Sequence, residues 1–239
     1  MTPKFDLRMF LPALNWFGLG TTIFAAILGA AAVWLLSVEF IRPVLPFFPV
    51  DAATAEAMAA HRTAAGAAAR IGLIRGELWT DYAMTLAPDI SGELAIPTSA
   101  QLSEMASLES ARAAAVAAAE LAPYDTRAWL LMAGTDARGL GQKAAGPLKM
   151  SYYAGPNELS LIPLRIKIAT QSDAITDPEL QALVGGEIRA IITRKPGFKP
   201  VIVSAYRDAL PEGRRFIESQ VGDLDPKLLA SLRATSPSR

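Results

Sequence analysis

Residues 9–38 read MFLPALNWFGLGTTIFAAILGAAAVWLLSV, thirty positions between Arg8 and Glu39 without one charged side chain. A bilayer core asks for about 20 apolar residues in a helix, so this run is long enough to span with some tilt. Pro12 falls in the first turn, where its missing N–H costs little. Trp16 and Trp34 stand near the two ends, where amphipathic rings suit the headgroup level. A cleaved leader would end at a small-residue site followed by polar sequence. Here Gly29-Ala30-Ala31-Ala32 is followed by Val33-Trp34-Leu35-Leu36, which prolongs the apolar run and predicts an uncleaved anchor.

The flanks set an orientation. Lys4 and Arg8 precede the run, only Arg42 closely follows it, and the next basic residues are His61 and Arg62. Cytoplasmic flanks carry the excess of Lys and Arg. The expected arrangement is a cytoplasmic stub over 1–9, a transmembrane helix over 10–38 and a main domain in the periplasm of a bacterial inner membrane. Gly18, Thr22, Ala26 and Ala30 recur every fourth residue, and small side chains at that spacing let a second helix approach closely. They are the candidate contact residues of the span.

Pro43, Pro46 and Pro49 make residues 39–50 an extended spacer. Residues 51–233 are expected to form one all-helical domain, and 234–239 a disordered tail. From Asp51 to Ala87 the chain is alanine-rich, with Gly66, Gly72 and Gly76 as interruptions; two helices meeting near Ile71–Leu73 and one bent helix both fit. Pro88–Pro97 is a loop. A helix over Leu102–Ala122 stops at Pro123, and Asp125 caps the next, which breaks at Gly139-Leu140-Gly141. Helices are also expected at Ala144–Tyr153 and at Glu158–Thr170, the latter capped by Asn157. Thr176-Asp177-Pro178-Glu179 has the form of a capping box with Thr176 as N-cap. Behind it Leu180, Leu183, Val184, Ile188, Ile191 and Ile192 recur with helical period. Shorter helices follow at Lys199–Ala209, Glu212–Val221 and Pro226–Leu232. The run Val201-Ile202-Val203 suits a strand, but no partner strand is evident, and it is assigned to a helix.

Composition removes several kinds of function. With 23 basic and 23 acidic side chains the formal charge is zero, which gives nucleic acid nothing to hold. There is no cysteine, hence no disulfide, thiolate chemistry or cysteine-ligated zinc, and the single histidine, His61, builds no multi-histidine metal site. No catalytic, cofactor or metal residues are assigned. The mean hydropathy of +0.27 is high for a soluble domain, and the apolar run and abundant alanine account for part of it.

Pro88, Pro123 and Pro156 each end a helical stretch, at separations of 35 and 33 residues. Trp129 lies six residues after Pro123, followed by Ala133 and Ala145. Residues 103–156 thereby resemble a tetratricopeptide repeat, whose period is about 34 residues. Met132-Ala133 stands where the family has Leu-Gly, Asp136 or Ala137 replaces its later tyrosine, and Trp79 and Tyr82 are read as remnants of a preceding unit. The resemblance implies a helix-pair array with Trp129 buried, a surface for protein partners, and no enzyme. The expectation is a scaffold or accessory subunit bound to another envelope protein in an export or assembly complex. Lys149, Tyr152 and Tyr153 are the candidate interaction residues, since they put charge and aromatic surface together. Arg194-Lys195 with Lys199, and Arg214-Arg215, are small basic clusters that suit helix C-termini.

A competing reading rests on Glu109-Ser110, Gly139-Leu140-Gly141-Gln142 and Tyr152-Tyr153-Ala154-Gly155, which resemble in order the motifs of lytic transglycosylases. It implies a glycan-cleaving enzyme with Glu109 as general acid. The first gap is longer than that family's and the last is shorter.

Overall fold

A computed structural model describes residues 11–45, 48, 52–87, 99–138 and 144–235. Among these the chain is all-helical, with twelve α-helices, short 3-10 turns and no strand. It divides into two compact units, one ending at Arg42 and the other beginning at Pro43.

The first unit is helix α1, Leu11–Ile41. Glu39 ends the uncharged run, yet the helix continues to Ile41, and the Arg42 amide still donates to the Val38 carbonyl at 2.9 Å. Pro43, which disfavours helical backbone at the residue before it, is what stops the helix. Charge marks the end of the apolar stretch and proline marks the end of the helix, so the expected boundary at 38 was three residues short. By length and composition α1 can cross a membrane.

In the second unit the stretch expected as two helices or one bent helix holds three: α2 (Ala52–Ala59), α3 (Arg62–Gly72) and α4 (Gly76–Leu86). The break at 72–75 falls where the glycines suggested it. There Leu73 has φ 42°, a left-handed backbone that costs a leucine about 1–2 kcal/mol, and its side chain is exposed. The earlier break, at Ala60–His61, has no glycine or proline to announce it. His61 is exposed. Gly76 is needed for a different reason: a Cβ there would stand 2.5 Å from the Ala122 Cβ and 2.8 Å from the Ala118 carbonyl oxygen. The start of α4 rests directly on the end of α5.

Helix α5 (Ser99–Leu121) buries Leu108, Ala111, Ala115 and Ala118, spaced three and four apart, against α4 and α6 (Thr126–Ala137). Asp125 caps α6 as expected, accepting from the Arg127 amide at 3.0 Å. The same carboxylate accepts from the Thr80 hydroxyl at 2.8 Å, and Arg127 reaches Asp81 at 3.2 Å, which ties α4 to α6. Helix α7 (Ala145–Ala154) packs on α6. Trp129 is half-buried rather than buried: it lies at the margin of the core, its indole N–H donating to the Pro123 carbonyl at 2.7 Å.

Asn157 does not cap the next helix. A 3-10 turn at Leu159–Leu161 intervenes, and α8 (Ile162–Thr170) starts from it with Pro163 in its first turn. The N-cap of α9 (Pro178–Arg194) is Asp177, which accepts from the Leu180 amide at 3.0 Å, while the Thr176 hydroxyl turns back to the Asp173 carbonyl at 2.7 Å. Of two adjacent capping residues, the carboxylate took the helix and the hydroxyl took the preceding turn. The buried face of α9, with Leu180, Val184, Ile188 and Ile191, meets α7, α8 and α11. Helices α10 (Lys199–Asp208), α11 (Pro211–Gly222) and α12 (Pro226–Thr235) complete the unit. Ile202 is buried in α10, where a strand was the alternative. Ala234 and Thr235, expected to open a tail, belong to α12. The loop at Pro88–Pro97, the break at Gly139-Leu140-Gly141, Pro46 and Pro49 of the spacer and residues 236–239 lie outside the described residues.

The join between α8 and α11 is made by backbone. The Leu210 amide donates to the Thr170 carbonyl at 3.0 Å, and a Cβ on Gly213 would lie 2.2 Å from that oxygen. One of the carbonyls that a helix end leaves unpaired is thereby satisfied, and only glycine admits the approach.

Candidate functional site

Two sets of residues were expected to make contacts, and they lie in different units. On α1, Gly18, Thr22, Ala26 and Ala30 form an exposed row, and no atom comes within 4 Å of a Cβ built on Gly18. The Thr22 hydroxyl donates to the Gly18 carbonyl at 2.9 Å, Thr21 bonds to the same carbonyl, and Ser37 donates to Trp34 at 2.7 Å. These hydroxyls return to their own helix, which leaves the surface of α1 without an unmet donor, a condition lipid imposes.

The other set converges on the α7–α9 contact. The ammonium of Lys149 reaches Asp177 at 3.1 Å and Glu179 at 2.8 Å, and the Tyr153 hydroxyl donates to Glu179. Each partner is held in its charged form by the others. The bonds from Glu179 and then Asp177 raise the Lys149 pKa, the Leu180 amide and then Lys149 lower that of Asp177, and Lys149 and then Tyr153 lower that of Glu179. The cluster is water-exposed and closed on itself.

One turn inward the setting is dry. The ring of Tyr152 is buried, and its hydroxyl donates to Glu187 at 2.6 Å. Burial, then the neighbouring Glu187 charge, pushes the Tyr152 hydroxyl well up; burial pushes the Glu187 carboxyl up against the opposing pull of Tyr152, Arg165 and Lys195. Behind the ring lies Arg165 of α8, wholly buried, its guanidinium 4.7 Å from the ring centre. One of its amino groups donates to the Ser151 and Gly155 carbonyls at 2.5 and 2.8 Å, while Nε and Nη1 are buried without a hydrogen-bond partner. Burial lowers its pKa, and the cation is kept by the ring face, two carbonyls and the nearby Glu187.

Tyr152, Tyr153 and Glu187 line an open cleft of about 440 Å³ between α7 and α9. Ile162, Leu183 and Ile191 supply its apolar floor, and Arg194 and Lys195 stand on its rim. The Lys149, Tyr152 and Tyr153 trio is thus gathered in one place, but Lys149 itself belongs to the closed cluster beside the cleft. The sequence reading missed Arg165 and Glu187. The only signal for either was a lone charge within an otherwise apolar helix, Arg165 between Leu164 and Ile166.

Glu109 is exposed on α5 and does not line this cleft; Ser110 donates to the Ala106 carbonyl at 2.8 Å. Gln142 lies outside the described residues. No family model, no curated protein and no solved structure matches the chain.

Proposed function

We propose that the protein is a membrane-anchored helical scaffold or accessory subunit that holds another envelope protein in an export or assembly complex. In this reading α1 crosses a bacterial inner membrane once, with the N-terminus in the cytoplasm and everything after Pro43 in the periplasm. The observation that carries it is the surface of α1, where Trp16, Phe17, Phe24, Ile27, Val33 and Leu36 are all more than half exposed. Each such side chain gains about 1.5–3 kcal/mol when taken out of water, and a bilayer is the solvent that removes them all at once.

The second unit supports a binding role. Helices α4, α6 and α8 lie side by side, with α5 and α7 as the alternate members, and the Thr80–Asp125 and Arg127–Asp81 bonds join α4 to α6. A tetratricopeptide-like array alternates helices in this way and uses its side-by-side row as a surface for peptides. The α7–α9 cleft adds a recess with both apolar and charged walls.

Reporter fusions after Asp51 test the orientation: a periplasmic signal is expected, and a cytoplasmic one overturns it. Recovery of a soluble mature protein beginning beyond residue 30 overturns the anchor. Photo-crosslinking from Tyr153 in native membranes tests the scaffold role, with discrete adducts to envelope proteins expected and their absence counting against it. Zymography of the Glu109→Gln variant separates the glycan-cleaving alternative, because a scaffold clears no glycan in either form.

A further inference from the structure

We infer that the α7–α9 cleft takes an extended acidic peptide segment, with an apolar side chain on the Ile162–Leu183–Ile191 floor and a carboxylate at Arg194 and Lys195. The inference rests on the scaffold reading and names the chemistry of the partner.

Charge balance around the cleft is the argument. Arg194 and Lys195, at the last turn of α9, make no ion pair or side-chain hydrogen bond among the described residues. Arg165 adds a third positive charge, buried behind Tyr152. Against these three cations the cleft wall offers one carboxylate, Glu187, already engaged by the Tyr152 hydroxyl. Lys149, Asp177 and Glu179 cancel among themselves and leave that excess uncompensated. An anion placed at the rim therefore meets cations that hold no other partner, while an apolar side chain beside it covers Ile162, Leu183 and Ile191. Carboxylate with hydrophobe, a few ångströms apart along one strand of chain, is the pattern of an acidic peptide. Tyr153 and Asn157 stand on the same wall with groups able to bond peptide amides. A flat anionic membrane fits less well, because its headgroups would not reach the apolar floor and would confront Glu179 and Glu187.

The test uses the full chain in detergent micelles and two labelled peptides, acetyl-Gly-Leu-Asp-Leu-Gly-amide and its Asn counterpart, titrated by fluorescence anisotropy. The Asp peptide is expected to bind about tenfold tighter than the Asn peptide. The Arg194→Ala/Lys195→Ala double variant should bring the two to equality, and Lys227→Ala, on α12, should leave the preference intact. Circular dichroism of the double variant guards against unfolding, and Arg194→Gln/Lys195→Gln, which keeps the length of the side chains, gives the same readout if the alanines disturb the helix end. Equal binding of both peptides, no binding of either, or a preference that survives the double variant overturns the inference. So does displacement of the Asp peptide by short-chain phosphatidylglycerol together with a loss of discrimination, which assigns the cations to a lipid headgroup. Failure of the scaffold reading looks different: the peptides are discriminated in vitro but Tyr153 yields no protein adduct in membranes. Adducts that map away from the cleft leave the scaffold standing and remove only this inference.

Discussion

Helices α1 and α5 are the two longest of the chain, 31 and 23 residues, and alanine runs through both, yet they face opposite surroundings. Helix α1 carries its large side chains outward: Trp16 is 76% exposed and Phe24 63%. Helix α5 turns Leu108, Ala111, Ala115 and Ala118 inward and keeps Glu109, Arg112 and Glu120 off that stripe. Apolar content alone does not separate the two. What separates them is the placement of charge, absent around the whole of α1 and confined to one side in α5. Small residues also differ in meaning: on α5 they admit the start of α4 to contact, whereas on α1 Gly18 has open space beside it.

The largest test of that contrast places one charge in each helix. Ala115→Asp, at a position with no exposure, should cost roughly 3 kcal/mol or more and abolish cooperative melting of the second unit. Ala26→Asp should leave that melting unchanged but cost about 3 kcal/mol of insertion, read as loss from the membrane fraction. If both variants melt alike, α1 is part of the folded core and the contrast is broken. The glycines give a smaller version. Gly76→Ala should destabilise by about 1–3 kcal/mol, since α5 backbone stands in the way, while Gly18→Ala should shift the melting temperature not at all.

Capping sharpens the comparison within the second unit. Asp125→Ala removes the α6 cap and the Thr80 and Arg127 contacts together, and about 1–2 kcal/mol should be lost in urea unfolding. Asn157→Ala should be neutral, because Asn157 caps nothing.

The smallest effect is on pH. Glu187 has a folded-state pKa above its unfolded value, so between the two the folded chain binds more protons and stability falls as pH rises, then levels off. Glu187→Gln should remove that decline from a stability–pH profile. Asp177 and Glu179 run the other way: their lowered pKa values give stability present above the unfolded carboxylate range and lost as pH falls through the folded values. The Asp177→Asn variant should flatten the acid side, and by little, since the group is exposed to water.

Local chemistry was legible in the sequence. The uncharged run became α1, Pro123 and Asp125 bounded α5 and α6, and the helical period after Pro178 became the buried face of α9. The misreadings were also local, but they were contests between neighbours. Thr176 and Asp177 both suit an N-cap, and nothing in the string says which takes the helix. Asn157 lost its role to a 3-10 turn that leaves no composition mark. The cleft was half legible. Lys149, Tyr152 and Tyr153 stood out because they are close in sequence, whereas Glu187 lies 35 residues from Tyr152 and Arg165 is 14 from Ser151. Their meeting depends on how α7, α8 and α9 register against one another, and periodicity fixes a helix's face but not its partner.

The Leu210–Thr170 bond gives the molecule a clock. That amide proton is sealed by a carbonyl at the end of another helix, so it trades with deuterium only when α11 lifts away from α8. A single resonance, followed after transfer into heavy water, would time how often the carboxy-terminal helices let go. Gly213, pressed on the same oxygen, is the position where any added side chain would make that clock run fast.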